Sequence, residues 1–404
     1  MQLTHLSLTN FRNFARLDID VPGGQVLLVG GNGQGKTSLL EAIYFLSTFV
    51  SFHAANERQL VHFIAGREPL AVARIVADFS LTDLVNPTSH RMEVRLIQEE
   101  NGYENTPRLR KEVLLDGVKR KIGEAIGWFN AVLFLPQMMQ IIEGAPEERR
   151  RYLNLAMGQV IPDYAAYLSI YAKNLTQRNA LLKQLAERGG DAGQLTYWDE
   201  QIADAGSRII HARIRAVQEL EKVAARLYND LTHAQDILRL SYLPSYDPLP
   251  QPSKQYTLPI DSPLDRSGIS IEKIRQGYID CLANLRSEEI MRGITTIGPH
   301  RDELRFLSNS IDLGIYGSRG QSRTAVLALK LAEVEWMLGK SGQKPVLLLD
   351  EVLAELDPAR RADLLSRLIT SEQALLTTTD LDLYEGNFIQ HANIWNIQEG
   401  RIYT

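Results

Sequence analysis

A single cysteine, Cys281, occurs in 404 residues. No internal disulfide can form, and with no His or Asp/Glu cluster at metal-ligand spacing this thiol reads as inert. The chain also lacks any apolar run long enough to span a membrane. Its opening stretch, MQLTHLSLTNFRNF, alternates like a strand and has neither the basic nor the apolar region of a signal peptide, which predicts a cytoplasmic location. Strong charge of one sign is missing too. A net charge of −5 argues against a generally basic nucleic-acid binder while leaving room for a local basic face. There are no internal repeats, and low complexity is confined to one proline-rich connector. What is present is ordinary for a globular chain, with 44% hydrophobic and 23% charged residues, in a length that suits two or three domains.

Alternation predicts an opening hairpin, QLTHLSLTNF followed by FARLDIDVP, and then a buried strand QVLLVG that ends in glycines. KTSLLEAIYFLST has helical spacing. LAVARIVADFSL and HRMEVRLIQEE alternate, and RKEVLLDGVKRKIG carries Asp116-Gly117, a hairpin-type turn between short strands. From about Arg149 the pattern becomes helical. Two long helical stretches are split by the breaker RGGDAG, and no proline lies between Pro162 and Pro244. In the second stretch Ile202, Ile209, Ile210, Val217, Leu220, Val223, Ala224, Leu227 and Leu231 fall on one stripe, which predicts an antiparallel helical hairpin. PSYDPLPQPSKQYTLPIDSP is too polar and proline-rich to be core and reads as a surface connector.

The chemistry begins at GGNGQGKT, which fits the phosphate-loop pattern through Gly30, Gly35, Lys36 and Thr37 in the strand-to-helix context that the pattern requires. Glycines let backbone N–H groups close around a phosphate, and the helix N-terminus adds a positive dipole. The loop residues Asn32 and Gly33, and Ser38 just beyond, belong to the same cradle. Lys36 is expected to reach the β- and γ-phosphates and the Thr37 hydroxyl to bind Mg²⁺. Far along the chain, PVLLLDE is an apolar strand that stops at Asp350, placed for magnesium, and Glu351, placed to orient water. Asp357 and Pro358 then stand as N-cap and first residue of a helix, with Asp357 also close enough in sequence to serve the nucleotide. Between these halves, Ser318, Gly320 and Gln321 head a long amphipathic helix, an arrangement suited to a γ-phosphate.

The order of phosphate loop, helical insertion, Ser-x-Gly-Gln and acidic strand resembles the ABC-type ATPases of the SMC branch. Within that branch it is most similar to the RecF family of bacterial recombination mediators. The resemblance is carried by LTNFRNF, GGNGQGKTSLLEAIYFL, FLPQMMQIIEGAPEERRRYLN, GPHRDEL, YGSRGQSRTAVLALKLAE and LLLDEVLAELD, and so runs over essentially the whole chain. It implies an α/β fold, an ABC/SMC-type P-loop ATPase head with an inserted α-helical arm lobe. The implied division is 1–148 for the first part of the head with an antiparallel β lobe, 149–290 for the arm and connector, and 291–404 for the rest of the head. It further implies that Gln137 senses Mg²⁺ and the γ-phosphate, that Arg12 and Asn13 approach the nucleotide, and that Ser318 completes the site of a second subunit. ATP, Mg²⁺, an ATP-dependent homodimer, double-stranded or gapped DNA, RecR-like and RecO-like partners, and no membrane follow as expectations.

The sequence departs from the family in places. Thr377, Thr378 and Thr379 stand where transporter-type ATPases carry a switch histidine, which predicts slow hydrolysis. FVSFHAAN lacks two arginines that the family carries there, and Asn154 replaces an Asp. For DNA, Arg108, Arg110, Lys119, Arg120 and Lys121 flank the Asp116-Gly117 turn and could form one basic ridge for phosphates. Arg149, Arg150 and Arg151 follow two glutamates and suit salt bridges. His300, Arg301 and Asp302 fit a structural turn, with His300 as an acid/base group the alternative. Two rival classes fit the same motifs: an ABC-type ATPase that drives a non-DNA partner, and a nucleotide-gated scaffold with incidental hydrolysis.

Overall fold

The computed structural model describes residues 1–54, 56–82, 88–99, 108–249, 265–384 and 386–403. Its contacts divide into two compact units, Met1–Met138 with Glu333–Thr404, and Met139–Ala332. The sequence division at 148/149 and 290/291 differs from this one. Residues 139–148 and 291–332 join the helical unit because their helices and strands pack on it, and the second division falls inside a continuous helix.

In the first unit, β1 (Gln2–Phe11) and β2 (Phe14–Asp20) form a hairpin, and β3 (Gly24–Val29) leads through the glycine loop into α1 (Lys36–Thr48). The chain continues through β4 (Leu70–Leu81), β5 (Thr88–Glu99), β6 (Arg108–Leu115), β7 (Val118–Arg120) and β8 (Ala131–Phe134). The β6–β7 turn has Asp116 and Gly117 at φ 50° and 78°, the left-handed pair that an Asp-Gly hairpin turn demands. One sheet is antiparallel, ordered β2-β1-β4-β5-β6-β7. α1 is apolar around most of its circumference, and eleven of its residues are buried. That composition suits a helix enclosed by structure rather than one with a wet face, and α1 touches β4 of this sheet as well as β8 of the next.

The second unit holds α2 (Pro146–Val160), α3 (Tyr164–Arg188), α4 (Leu195–Leu231), β9 (Leu238–Leu243), α5 (Ile271–Arg292), β10 (Glu303–Ser308) and β11 (Ile311–Asp312). α6 (Arg319–Ser341) begins in it. The first predicted helical stretch is two helices, because Pro162 and Asp163, the latter at φ 60°, break it. α3 and α4 form the expected antiparallel hairpin. Tyr164 bonds Arg213, Tyr171 lies against Gly206, and Arg178 bonds Asp199, so equal steps forward along α3 match equal steps backward along α4, as in coiled-coil packing. Gly189 and Gly190, at φ 68° and 135°, turn the chain between them. Along the predicted stripe Val223 and Leu231 are half-buried and the other seven residues are buried. Residues 250–263 of the proline-rich connector lie outside the described residues.

The last segment returns to the first unit with β12 (Val346–Asp350), α7 (Pro358–Ile369), β13 (Gln373–Thr378), β14 (Asn393–Gln398) and β15 (Arg401–Tyr403). These build the second sheet, β15-β14-β3-β13-β12-β8, parallel except for β15. β3 therefore sits between two strands drawn from the last part of the chain. Its neighbour on one side is β13, and on the other β14. Buried strands in a parallel sheet read as continuous apolar runs, and VLLV in β3 and VLLL in β12 are such runs.

Candidate functional site

The loop after β3 is held open from behind. A Cβ at Gly30 would lie 2.4 Å from the Ile397 carbonyl oxygen, and one at Gly35, where φ is 119°, would lie 2.7 Å from Asn13 Nδ2. Both positions need glycine for close approach, and Gly35 needs it also for its backbone. The Gln34 side chain accepts the Glu399 N–H at 2.7 Å and its carbonyl accepts the Gly400 N–H at 3.1 Å. The β14–β15 turn thus clasps the loop.

Lys36 is buried, and its Nζ donates to the carbonyls of Gly30 at 2.8 Å and Gly31 at 3.1 Å, with Glu351 Oε1 at 3.3 Å. These partners hold the ammonium inside the loop, facing the space that a phosphate would take. Asn32 and Gly33 are exposed on the loop, while Thr37 and Ser38 are half-buried at the start of α1. Thr37 Oγ1 lies 3.0 Å from both oxygens of the Asp350 carboxylate, so the two motifs, far apart in sequence, meet directly. Burial raises the pKa of Asp350 above the ordinary carboxylate value, and the Glu351 charge adds to this, while hydrogen bonds from Thr377 and Thr37 and the charge of Lys36 oppose it. A hydroxyl and a carboxylate converging at one point form a hard, all-oxygen donor set that fits Mg²⁺. Glu351 is 43% exposed at the side chain and takes a left-handed backbone, φ 51°.

β8 and β12 pair in parallel with Phe134 beside Leu349, so Gln137, just past the end of β8 and exposed, lies beyond the same sheet edge as Asp350. Asn13 reaches the loop at Gly35, but Arg12 is engaged elsewhere. Its guanidinium makes a two-pronged pair with the buried Glu41 of α1 at 2.6 and 2.8 Å and donates to the Gln59 carbonyl. Ser51 also donates to Glu41, which ties the segment after α1 to the same carboxylate. Asp357 caps α7, accepting the Arg360 N–H at 3.0 Å and pairing with the Arg360 side chain. In the helical unit, Ser318 and Gln321 cap α6 reciprocally: the Gln321 N–H donates to Ser318 Oγ at 3.2 Å, and the Ser318 N–H to Gln321 Oε1 at 3.1 Å. Ser318 and Gly320 are exposed.

The five basic residues do not form one ridge. Side chains alternate along a strand, so Arg108, Arg110 and Glu112 share a face of β6, and Lys119, registered against Leu114, joins that face. Arg120, registered against the buried Val113, points to the other. Glu112 takes Lys119 at 2.6 Å and Arg110 at 3.0 Å, and Glu93 nearby is held between Arg74 and Arg95, its pKa brought down to about 2. The surface is mixed in sign. All five basic residues are exposed, Arg110 and Lys119 while paired with Glu112.

His300, Arg301 and Asp302 belong to a structural turn. Asp302 is buried and accepts from Arg213 at 2.8 Å, from the Ser245 N–H at 3.0 Å and from Tyr242. His300 Nδ1 meets the Tyr171 hydroxyl at 2.8 Å, and burial lowers its pKa to about 4, which keeps it neutral. Arg149 makes a two-pronged pair with Glu303 and Arg150 pairs with Glu147. Sequence reasoning missed Gln34, Glu41 and Thr377. Thr377 donates to Asp350 at 2.7 Å and accepts the Glu351 N–H at 3.0 Å, a role set by strand register that no local pattern encodes.

Comparison with known proteins accords with this geometry. The family model described as RecF/RecN/SMC N terminal domain matches residues 2–394. A DNA replication and repair protein RecF from Chloroflexus aggregans is 37% identical over 414 residues, covering 100% of both chains. The protein of that name from Enterococcus faecalis is 32% identical over 403 residues, covering 100% of this chain and 98% of the relative. Among solved structures, the recombination mediator protein RecF with ATP in the RecFOR pathway superposes with a TM-score of 0.82 at 29% identity, covering 99% of this chain and 96% of the other. An Smc head domain from Pyrococcus furiosus, bound to the C-terminal domain of ScpA, reaches 0.50 at 16% identity over 99% and 94%, a likeness of fold alone.

Proposed function

The chain belongs to the RecF family of DNA replication and repair proteins, and from that membership we propose an ATPase that dimerises on ATP and closes on DNA. The DNA is double-stranded or a junction of double and single strands. The protein supports recombinational repair and the loading of recombinase at gapped or stalled replication DNA, with RecR-like and RecO-like proteins as partners. The observation that carries the reading is the Thr37–Asp350 contact at 3.0 Å, which joins the phosphate loop to the acidic strand end in one centre.

Lys36 exchanges its bonds to the Gly30 and Gly31 carbonyls for the β- and γ-phosphates, and the loop N–H groups close around them. Thr37, Asp350 and Gln137 are the residues that would hold Mg²⁺, which supplies charge neutralisation on the phosphates when bound. Glu351 accepts a hydrogen bond from water and aims it in line with the γ-phosphate. Ser318 and Gly320, exposed at the start of α6, present their N-terminus to the nucleotide of a second copy, with Gln321 holding the cap. Arg12 acts through Glu41, setting α1, while Asn13 packs on the loop and Asp357 fixes α7 behind Glu351. Of the basic residues, Arg108, Arg110 and Lys119 share one face and meet DNA phosphates there, Arg110 and Lys119 exchanging Glu112 for phosphate.

Steady-state ATP hydrolysis measured across protein concentrations, with and without double-stranded DNA, tests this. Specific activity is expected to rise with concentration and again with DNA. Flat activity indifferent to DNA would mean that each chain works alone, and would favour an ATPase serving a non-DNA partner.

A further inference from the structure

We propose that Thr377 is a positioning residue for ATP hydrolysis, a single hydroxyl that fixes both acids at the end of β12. The inference rests on the roles given above to Asp350 and Glu351.

β12 and β13 run parallel, and the last registered pair is Asp350 with Thr377. The next N–H along β12, that of Glu351, has run past the ladder, and the Thr377 hydroxyl accepts it at 3.0 Å. The same oxygen donates its proton to Asp350 Oδ1 at 2.7 Å. An ionised carboxylate only accepts and an amide only donates, so the hydroxyl is used with one polarity and cannot turn. Thr377 is 2% exposed, which leaves water little access to replace it.

Glu351 has φ 51°, a left-handed conformation that a residue with a Cβ adopts at a cost and keeps only when its surroundings hold it. The Thr377 bond is such a constraint, applied at the residue that aims the water. Asp350 meanwhile is gripped by Thr37 on α1 and Thr377 on β13, which sets the rotation of its carboxylate. The neighbouring threonines do not share this work. Thr378 bonds the backbone of Asp380 and Thr379 is exposed. A hydroxyl at position 377 thus sets the geometry of the hydrolytic residues.

The test compares Thr377→Val, which keeps shape and removes the hydroxyl, with Thr377→Ser, which keeps the hydroxyl, beside Glu351→Gln. Equilibrium ATP binding, kcat and melting temperature are measured for each. Thr377→Val is expected to lose about tenfold or more in kcat while its ATP dissociation constant stays within about twofold, and Thr377→Ser is expected to restore turnover. If the valine variant does not fold, Thr377→Ala is read for the same split between kcat and binding. Wild-type turnover in Thr377→Val, equal loss in the serine and valine variants, or a loss confined to ATP affinity would each overturn the proposal. Wild-type turnover in Glu351→Gln would instead remove the reading of the site on which it rests.

Discussion

Two sets of buried charge invite comparison, one around Lys36 and one along the α3–α4 hairpin. In the hairpin, Arg178 meets Asp199 and Glu289, and Arg213 meets Asp302, all with side chains no more than 2% exposed. Each of these charges has an ionic partner fixed by the fold, and each is closed off from solvent. Lys36 is almost as deeply buried, yet its partners are carbonyls of its own loop and a carboxylate that is 43% exposed. The first arrangement holds a shape, and the second is, on the proposed reading, traded for a ligand's charge. Burial alone does not separate structure from function. The kind of partner does.

The largest effect expected from breaking the contrast comes from Asp302→Ala, which strands Arg213 in the interior and should cost about 3–5 kcal/mol in chemical unfolding. The double variant Arg213→Met with Asp302→Leu should recover much of that, since a buried ion pair replaced by apolar groups of similar size is often tolerated. No recovery would show that Tyr242, Ser245 and Tyr164 need the pair as it stands. Next, Lys36→Ala should lower ATP hydrolysis about a hundredfold while the unfolding free energy stays within about 1 kcal/mol. A loss of stability like that of Asp302→Ala would erase the distinction.

A smaller effect comes from His300, whose pKa is lowered to about 4 by burial, with Arg301, Arg150 and Arg213 adding to the shift and the Thr295 carbonyl opposing it. The unfolded chain takes up the proton near pH 6.5, before the folded one does. The stability tied to a neutral His300 is therefore complete above pH 6.5 and lost as pH falls toward 4, at about 1.4 kcal/mol per pH unit. His300→Gln should flatten that part of the stability profile, and an unchanged slope would assign it to other groups. Smallest is Lys119→Ala. Its pair with Glu112 is solvent-exposed, so stability should move by no more than about 0.5 kcal/mol, while the salt dependence of DNA binding should fall by about one phosphate contact.

The phosphate loop, Asp350 and Glu351 were legible because their chemistry demands residue types at fixed spacing beside predictable elements. The hairpin was legible from its apolar stripe, but not the charges within it. Arg213 stands beside that stripe and finds Asp302 on a distant turn, a pairing that only tertiary packing creates. The basic ridge was misjudged for a simpler reason. A charge run is one-dimensional, while a strand sends alternate residues to opposite faces, so Arg120 parted from Lys119. At Thr377 the sequence registered only the lack of a histidine, whereas the parallel register of β12 and β13 gives the hydroxyl its work.

The place of β3 in its sheet has a consequence for synthesis. Both of its neighbours, β13 and β14, come from residues 373–398, so the strand that launches the phosphate loop leaves the ribosome long before either flank exists. Through most of translation the nascent chain carries an apolar strand with two open edges, the condition in which chains pair wrongly with one another. It can have no nucleotide centre until synthesis is nearly over. A chain cut short before β13 keeps an intact phosphate-loop sequence but has neither of the strands that flank β3.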